Sequence, residues 1–551
     1  MSIDRKEILE KVSVELENIA DKSVRNIIVL LFNIIEEDTR ILQELKEENQ
    51  KLRDEINRLR GEQGKPKIKP KRKDISSEKE RNQHNMKKKR KRKKKKKNLK
   101  INKRSICEID KSELPADAQF KGYTPSIVQE LEINVINIEF LKETYYSPSE
   151  NKTYIAGVPQ GFEGDFGPCL KSTVITLKND CNVSEPKILV FLTNYGVDIS
   201  EGTISNILIK NKEIFHKEKN GLFIAGLSST IYQQIDDTSA RVRGENYYMQ
   251  ILCNPLYTAY FTVSNKSRLT VLEILQTGQE NGGKGLKYSL NEEAIALLER
   301  LRVSKKLINE INILKADRNF TREEIEDFLL DHFPLINEIT RTRILEAAAI
   351  AAYHKEEDYP IIKILLCDDA PQFKLLTEYL SLCWVHDGRH YKKLSPIVPF
   401  NVKCLEEFIE RYWKYYRRLL EYKADPSEDF AEELSKEFDT LFSTRTGYKY
   451  LDERIAKTKA KKANLLLVLK YPELPLHNND SELGARAQAR KRDVSLHTMT
   501  EEGTKANDTF LSITQTCKKL GIRFYDFVYD RITGSFNIPS LAQLILAETE
   551  E

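Results

Sequence analysis

Residues 360–367 read PIIKILLC, and no other stretch restricts the possible folds of this chain as strongly. A continuous apolar run of that length is the pattern of a central strand covered on both faces. Such a strand requires helical layers on either side of a sheet. Asp368 stands at the C-terminal end of the run, with Asp369 beside it. Open α/β sheets place ligand sites at that end of their strands, while a lone strand-end aspartate often only caps the next helix.

Partner strands are legible upstream. Residues 230–242, 246–253 and 257–263 are rich in aromatic and β-branched side chains, with Arg243-Gly244-Glu245 and Asn254-Pro255 between them as turn signals. They read as an antiparallel meander. Asp236 and Asp237 lie in the first of these strands, and because successive side chains alternate, only one of the two can face a given site. A helix is expected near 268–276, and the apolar residues 380–386 read as a further strand ending at His386. Residues 277–359 are mostly charged, amphipathic helix, an insertion or cover without visible chemistry. A second helical insertion covers 402–422 and 426–442, where Tyr412, Trp413, Tyr415 and Tyr416 cluster near Arg417 and Arg418. Such a cluster is more often helix core than a base-stacking platform.

The stretch 476–495, LHNNDSELGARAQARKRDVS, reads as a helix start. Asn478, Asn479 and Asp480 are N-cap candidates, and Ala485, Ala487 and Ala489 favour helix after them. Glu482, Arg486 and Arg490 then share one face. A carboxylate beside arginines near a helix N-terminus suits a site for a metal ion and phosphate, or is an ordinary ion pair on a solvated helix. Helical patterns resume around 508–520 and 525–532.

At 551 residues the chain is too long for one core, and its charge is unevenly spread. Residues 61–104 hold 22 Lys and Arg against 4 acids, a local +18 that leaves the remainder at −13 within a net +5. Almost no large apolar side chains occur there, so this segment reads as a disordered basic linker. Its eleven consecutive bases, from Lys87 to Lys97, suit sequence-blind, salt-sensitive binding of nucleic acid; a nuclear-import signal or a solvated linker are the other uses of such a tract. Residues 1–60 read as a short coiled coil. Ile35, Leu42, Asn49 and Ile56 fall at one heptad position and Leu45, Leu52 and Leu59 at the other, with Asp38 as the misfit. A buried Asn49 would favour a dimer in one register, the alternative being a helix packed on its own chain. Residues 185–195 and 200–211 are helical patterns joined by Gly196-Val197-Asp198-Ile199, a helix-turn-helix length. Ser200 would cap the second, leaving Thr203, Ser205, Asn206 and Lys210 to reach bases or phosphates. Eight scattered cysteines without a CxxC pair argue against a disulfide framework and a zinc site. No run of about 18 apolar residues and no signal peptide occur, so a soluble cytoplasmic protein is expected.

Three motifs give these parts a common meaning. HNNDSELGAR, ending at Arg486, resembles the asparagine-pair, glutamate, arginine motif of the insertion-sequence sixty-six family of DDE transposases. QQIDDTSARV resembles that family's strand-borne Asp-Glu-Thr motif. LLCDDAPQF followed by CWVHDGRHY resembles its second aspartate and Cys-Trp-x-His motif. The likeness runs from about 165 to 535. It implies an α/β catalytic core, ribonuclease H-like with a mixed sheet, carrying Asp236, Asp368 and Glu482 as catalytic metal ligands for Mg²⁺ or Mn²⁺, two ions in all. Asp237, Asp369, His386, Asn478 and Asn479 are expected in support, and Arg389, Arg486 and Arg490 on DNA. Asp387-Gly388 departs from the family's usual Ala-Arg, and the family's CxxC zinc motif is missing at the lone Cys107.

The expected layout is coiled coil 1–60, linker 61–104, helix-turn-helix region 105–229 and core segments 230–276, 360–400 and 471–535. Helical insertions occupy 277–359 and 401–470, and 536–551 form a tail. Asp236 and Asp368 are 132 residues apart and Asp368 and Glu482 are 114 apart, spacings that the insertions account for. The resemblance implies cleavage and strand transfer at the ends of an insertion element. The partners are double-stranded DNA of the terminal inverted repeats and target, a second copy or more through the coiled coil, and accessory proteins of the element, at the nucleoid. A catalytically inactive DNA-binding relic or regulator, and a nuclease or resolvase on the same fold, are the alternatives.

Overall fold

The computed structural model describes residues 5–16, 19–59, 100–110, 114–115, 117–278, 285–314, 318–357 and 359–550. Lys87, Lys97 and most of the basic linker lie outside the described residues. Helices α1 (Arg5–Glu15) and α2 (Lys22–Leu59) come first. The described residues from 100 to 143 are exposed and form no regular element, and a hairpin of β1 (Thr144–Ser147) and β2 (Lys152–Ile155) follows. Four helices succeed it, α3 (Pro168–Asn179), α4 (Glu185–Asn194), α5 (Glu201–Ile209) and α6 (Glu213–Ser228). Gly196 turns the chain between α4 and α5 with φ +83°, where a side chain would be strained. Ser200 caps α5 as expected, accepting from the Thr203 amide at 3.2 Å.

Strands β3 (Tyr232–Val242), β4 (Glu245–Cys253) and β5 (Thr258–Val263) form the anticipated antiparallel meander. The chain then leaves through α7 (Arg268–Thr277) into the first insertion. That insertion holds β6 (Tyr288–Ser289), α8 (Glu292–Arg300), α9 (Lys305–Ile313), β7 (Asn319–Phe320), α10 (Arg322–His332) and α11 (Glu338–Tyr353). It returns as β8 (Ile364–Cys367), buried at all four positions, and β9 (Tyr379–Leu382). The five-stranded sheet runs β5-β4-β3-β8-β9, with β8 parallel to both β3 and β9.

The expected strand over 380–386 is shorter than its apolar text. β9 stops at Leu382, and Cys383 begins α12 (Trp384–Lys392), its sulfur accepting from the His386 amide at 3.4 Å. Trp384, Val385, Gly388 and Tyr391 are buried together, so the apolar residues that follow the strand belong to a helical face. The second insertion holds α13 (Pro399–Ala424), α14 (Glu428–Leu441), α15 (Lys449–Lys459) and α16 (Lys462–Leu465). Tyr412, Trp413, Tyr415 and Tyr416 are all buried, which makes that cluster a helix core and not a stacking platform. The core closes with α17 (Asn479–Ser495), α18 (Glu501–Lys519), α19 (Phe524–Thr533) and α20 (Leu541–Glu550); α17 packs on β3 and β4, and α18 on β5 and α6.

The N-terminal helices divide between two roles. Ile28, Val29, Phe32 and Ile35 pack with Val398 and Phe400, so Ile35 serves its own chain and not the expected seam. Farther along α2, Leu42, Leu45, Leu52 and Ile56 are exposed. Glu36, buried on the packed side, accepts from the amides of Ile397 at 2.7 Å and Val398 at 2.9 Å and from Asn401 at 3.3 Å. A carboxylate there satisfies orphan donors and opposes the positive end of α13. Glu36→Ala should loosen the N-terminal helices at a cost of about 2 kcal/mol, the scale of hydrogen bonds to a charged group. Limited proteolysis between α2 and the body should accelerate, and unchanged protection would count against the cap.

Candidate active site

The register of the sheet brings two aspartates side by side. Tyr232, Gln233 and Gln234 of β3 pair with Ile364, Leu365 and Leu366 of β8, and the same parallel register carried two residues onward sets Asp236 beside Asp368. Asp236 stands opposite Ile251 on β4, and cross-strand partners share a face. A Cβ at Gly484 of α17 would come within 2.9 Å of the Ile251 side chain and 3.2 Å of the Tyr260 hydroxyl. Only glycine lets α17 seat this closely, and Asp236 therefore faces that helix. The Tyr260 hydroxyl donates to the Gly484 carbonyl at 3.0 Å and fixes the contact.

Asn478 performs a different task from the cap expected of it. Its side chain makes no capping bond at α17; instead Nδ2 donates to the Ile235 carbonyl at 2.8 Å, and its amide donates to the Cys383 sulfur at 3.3 Å. Gln234 and Asp480 add a reciprocal pair, side chain to side chain at 3.1 Å and amide to side chain at 3.2 Å. The start of α17 is thus tied to β3 and to the junction of β9 with α12. Glu482 lies in its first turn, and Asn479 immediately precedes Asp480 in the same turn.

Electrostatics separates the neighbouring acids. The Asp236 carboxyl is pushed up to about 7, first by burial and then by the negative charges of Asp368, Asp237 and Glu482. All three expected carboxylates therefore share one field. Asp237, on the opposite face, meets Lys266 at 3.3 Å and Gln372 at 3.0 Å. Asp369 is paired with Lys374 at 3.0 Å and Lys461 at 2.6 Å. Among the described residues Asp236 and Asp368 have no ion pair, which separates each from its sequence neighbour.

Glu482 is held chiefly by a residue the sequence did not connect to it. Arg389 of α12 donates through Nη2 to both carboxylate oxygens, at 3.0 and 3.1 Å, and through Nη1 to His386 Nε2 at 2.9 Å. Arg486 lies 3.8 Å from the same carboxylate, and Arg490 is exposed one turn on. The only advance signal was that Arg389 follows His386 by three residues, one helical turn, which reading 380–386 as a strand concealed. Asp368, His386, Arg389, Lys393 and Lys461 line a cleft of about 480 Å³. Among the described residues no three acid, His or Cys side chains stand close enough to enclose an ion. The carboxylate donors suit a hard divalent cation, but both Glu482 oxygens are engaged by Arg389.

The departure at Asp387-Gly388 has a structural use. Asp387 is buried against Arg454 of α15, accepts from Thr458 at 2.9 Å, and receives the Tyr412 hydroxyl at 3.4 Å. A Cβ at Gly388 would meet the Trp413 ring at 2.9 Å. These two residues anchor α12 to the second insertion and face away from solvent.

The residues assigned to DNA on α5 differ in their exposure. On α5, Asn206 and Lys210 are exposed, Thr203 joins the Ser200 cap, and Ser205 faces a cleft of about 660 Å³ between α3–α5 and the end of α17. Lys178, Arg241, Lys491 and Arg492 line the same cleft and were not anticipated. Lys491 is buried, donates to Asn179 at 2.7 Å, and has its ammonium brought down to about 7 by burial and by Lys178.

This is a mixed α/β protein whose central sheet and late helix gather distant carboxylates. The profile of the transposase IS66 family matches residues 361–506, a span that starts just before β8 and includes Asp368 and Glu482. The uncharacterized protein y4jO of Sinorhizobium fredii is 32% identical over 325 residues, covering 99% of that protein and 59% of this chain. The chain belongs to the transposase IS66 family.

Proposed function

We propose that this transposase binds the ends of an insertion element and performs metal-dependent DNA cleavage and strand transfer on a ribonuclease H-like core. What supports the reading is the register of β3 and β8, which sets Asp236 beside Asp368, together with α17, which packs on β3 and β4 and carries Glu482 in its first turn. These three carboxylates would hold Mg²⁺ or Mn²⁺, two ions in all, which when bound supply Lewis acidity and an activated water. Asn478, Gln234 and the α17 contact hold Glu482 toward the strands. Arg389, Arg486 and Arg490 would receive the phosphates flanking the broken bond, with His386 positioning Arg389. In the reaction water breaks a phosphodiester bond at the element end to free a 3′ hydroxyl, which then attacks a target phosphodiester, joining the strands and releasing the target's own 3′ hydroxyl. Gel analysis of a labelled element end, with Mg²⁺ added or chelated, tests this directly.

Binding divides between two parts. The tract from Lys87 to Lys97 supplies bulk affinity, and α4–α5 acts as the helix-turn-helix that discriminates ends through Asn206 and Lys210. Deleting 87–97 should weaken binding to all sequences alike and reduce the slope of log affinity against log salt by several units, each neutralised phosphate contributing about 0.9. Asn206→Ala with Lys210→Ala should instead narrow the gap between element-end and random duplexes. Competition binding at several salt concentrations checks both, and the reverse pattern would exchange the assignments. The exposed Leu42, Leu45, Leu52 and Ile56 support pairing with a second copy along α2, with Asn49 setting the register.

A further inference from the structure

We infer that Arg389 is a latch on Glu482. Without DNA it occupies both carboxylate oxygens, and it releases them to take a DNA phosphate when substrate enters the neighbouring cleft. This rests on the reading of Glu482 as a metal ligand. Three bonds hold the guanidinium, two to Glu482 at 3.0 and 3.1 Å and one to His386 at 2.9 Å. His386 Nε2 is the acceptor in the last, so the ring carries its proton on Nδ1, which is buried without a hydrogen-bond partner. The imidazole is thereby a neutral prop for the arginine. Arg389 also lines the 480 Å³ cleft, where Lys393 adds positive charge and Lys461 is paired with Asp369. Nη2 alone spans the two Glu482 oxygens while Nη1 stays on His386, and a guanidinium N–H donates to a phosphate oxygen as it does to a carboxylate, so exchanging one for the other keeps its hydrogen bonds satisfied. The exchange makes Glu482 available only when DNA is in place.

Mn²⁺ binding to the full chain, followed by electron paramagnetic resonance of the free ion, tests the latch in wild type, Arg389→Lys and Arg389→Ala. Lysine keeps the charge but loses the planar guanidinium that donates to Glu482 and His386 at once. A purely electrostatic neighbour would leave Mn²⁺ affinity unchanged in Arg389→Lys. The latch predicts about tenfold tighter binding in both variants without DNA, the scale of a lost charge-assisted hydrogen bond, with the gap closing once an element-end duplex is added. Equal affinity of wild type and Arg389→Lys would overturn the latch and leave the metal-ligand reading standing. Absence of Mn²⁺ uptake by every variant, with and without DNA, would overturn both.

Discussion

Asp236→Asn, Asp368→Asn and Glu482→Gln each reduce Mg²⁺-dependent nicking of an element end by about a thousandfold or more, the scale seen when an essential group leaves an active site. End binding stays close to wild type, because each change removes a charge with little change in shape. Asp237→Asn keeps most of the activity, since Asp237 faces Lys266 and Gln372 across the sheet. Loss of nicking in Asp237→Asn but not in Asp236→Asn would make Asp237 the ligand instead. The same substitution has a second, metal-free signature. The folded protein holds the Asp236 proton up to about pH 7, well above the ordinary carboxyl value of 3.8, so between those values the folded state binds more protons than the unfolded one. Stability from this group is present below pH 4 and is lost as pH rises through 7. In chelator, Asp236→Asn should therefore melt higher than wild type at pH 8, with the difference shrinking toward pH 4. A pH-independent difference would show that burial of the ionised carboxylate, with the charges of Asp368, Asp237 and Glu482 added to it, is not its source.

The largest effect on folding is expected at Arg454. Arg454→Met keeps much of the side chain's volume but leaves Asp387 buried without its cation, with only Thr458 and Tyr412 donating to it. Burial already pushes the Asp387 carboxyl up, and breaking a buried pair from one side costs about 3–5 kcal/mol. Chemical denaturation should show that loss, and nicking should fall with it because α12 carries His386 and Arg389. A loss below about 1 kcal/mol would mean the pair is screened as surface pairs are.

Much of this arrangement is legible in the amino-acid sequence. PIIKILLC could be little other than a central strand, and the alternation around Asp236 with clear turn signals defined the meander. Reading 380–386 as strand failed because a four-residue strand and a helix share one apolar run, and local pattern cannot see the sheet edge at Leu382. Asn478 and Ile35 failed for a related reason. An asparagine before a helix and an apolar residue in a heptad are ambiguous until tertiary partners, here the Ile235 carbonyl and Val398 with Phe400, are known. Arg389's grip on Glu482 spans 93 residues, and nothing in local spacing could place it.

The central claim is most directly tested by incubating the full chain with a labelled duplex bearing the element's terminal repeat beside a target plasmid, with Mg²⁺ or with chelator. Nicking at the repeat boundary followed by joined products, present with Mg²⁺ and absent with chelator, is the predicted result. Tight end binding without any nicking would make the chain a DNA-binding relic. Cleavage of branched or hybrid substrates with no preference for the repeat would make it a nuclease, and either outcome would contradict the account.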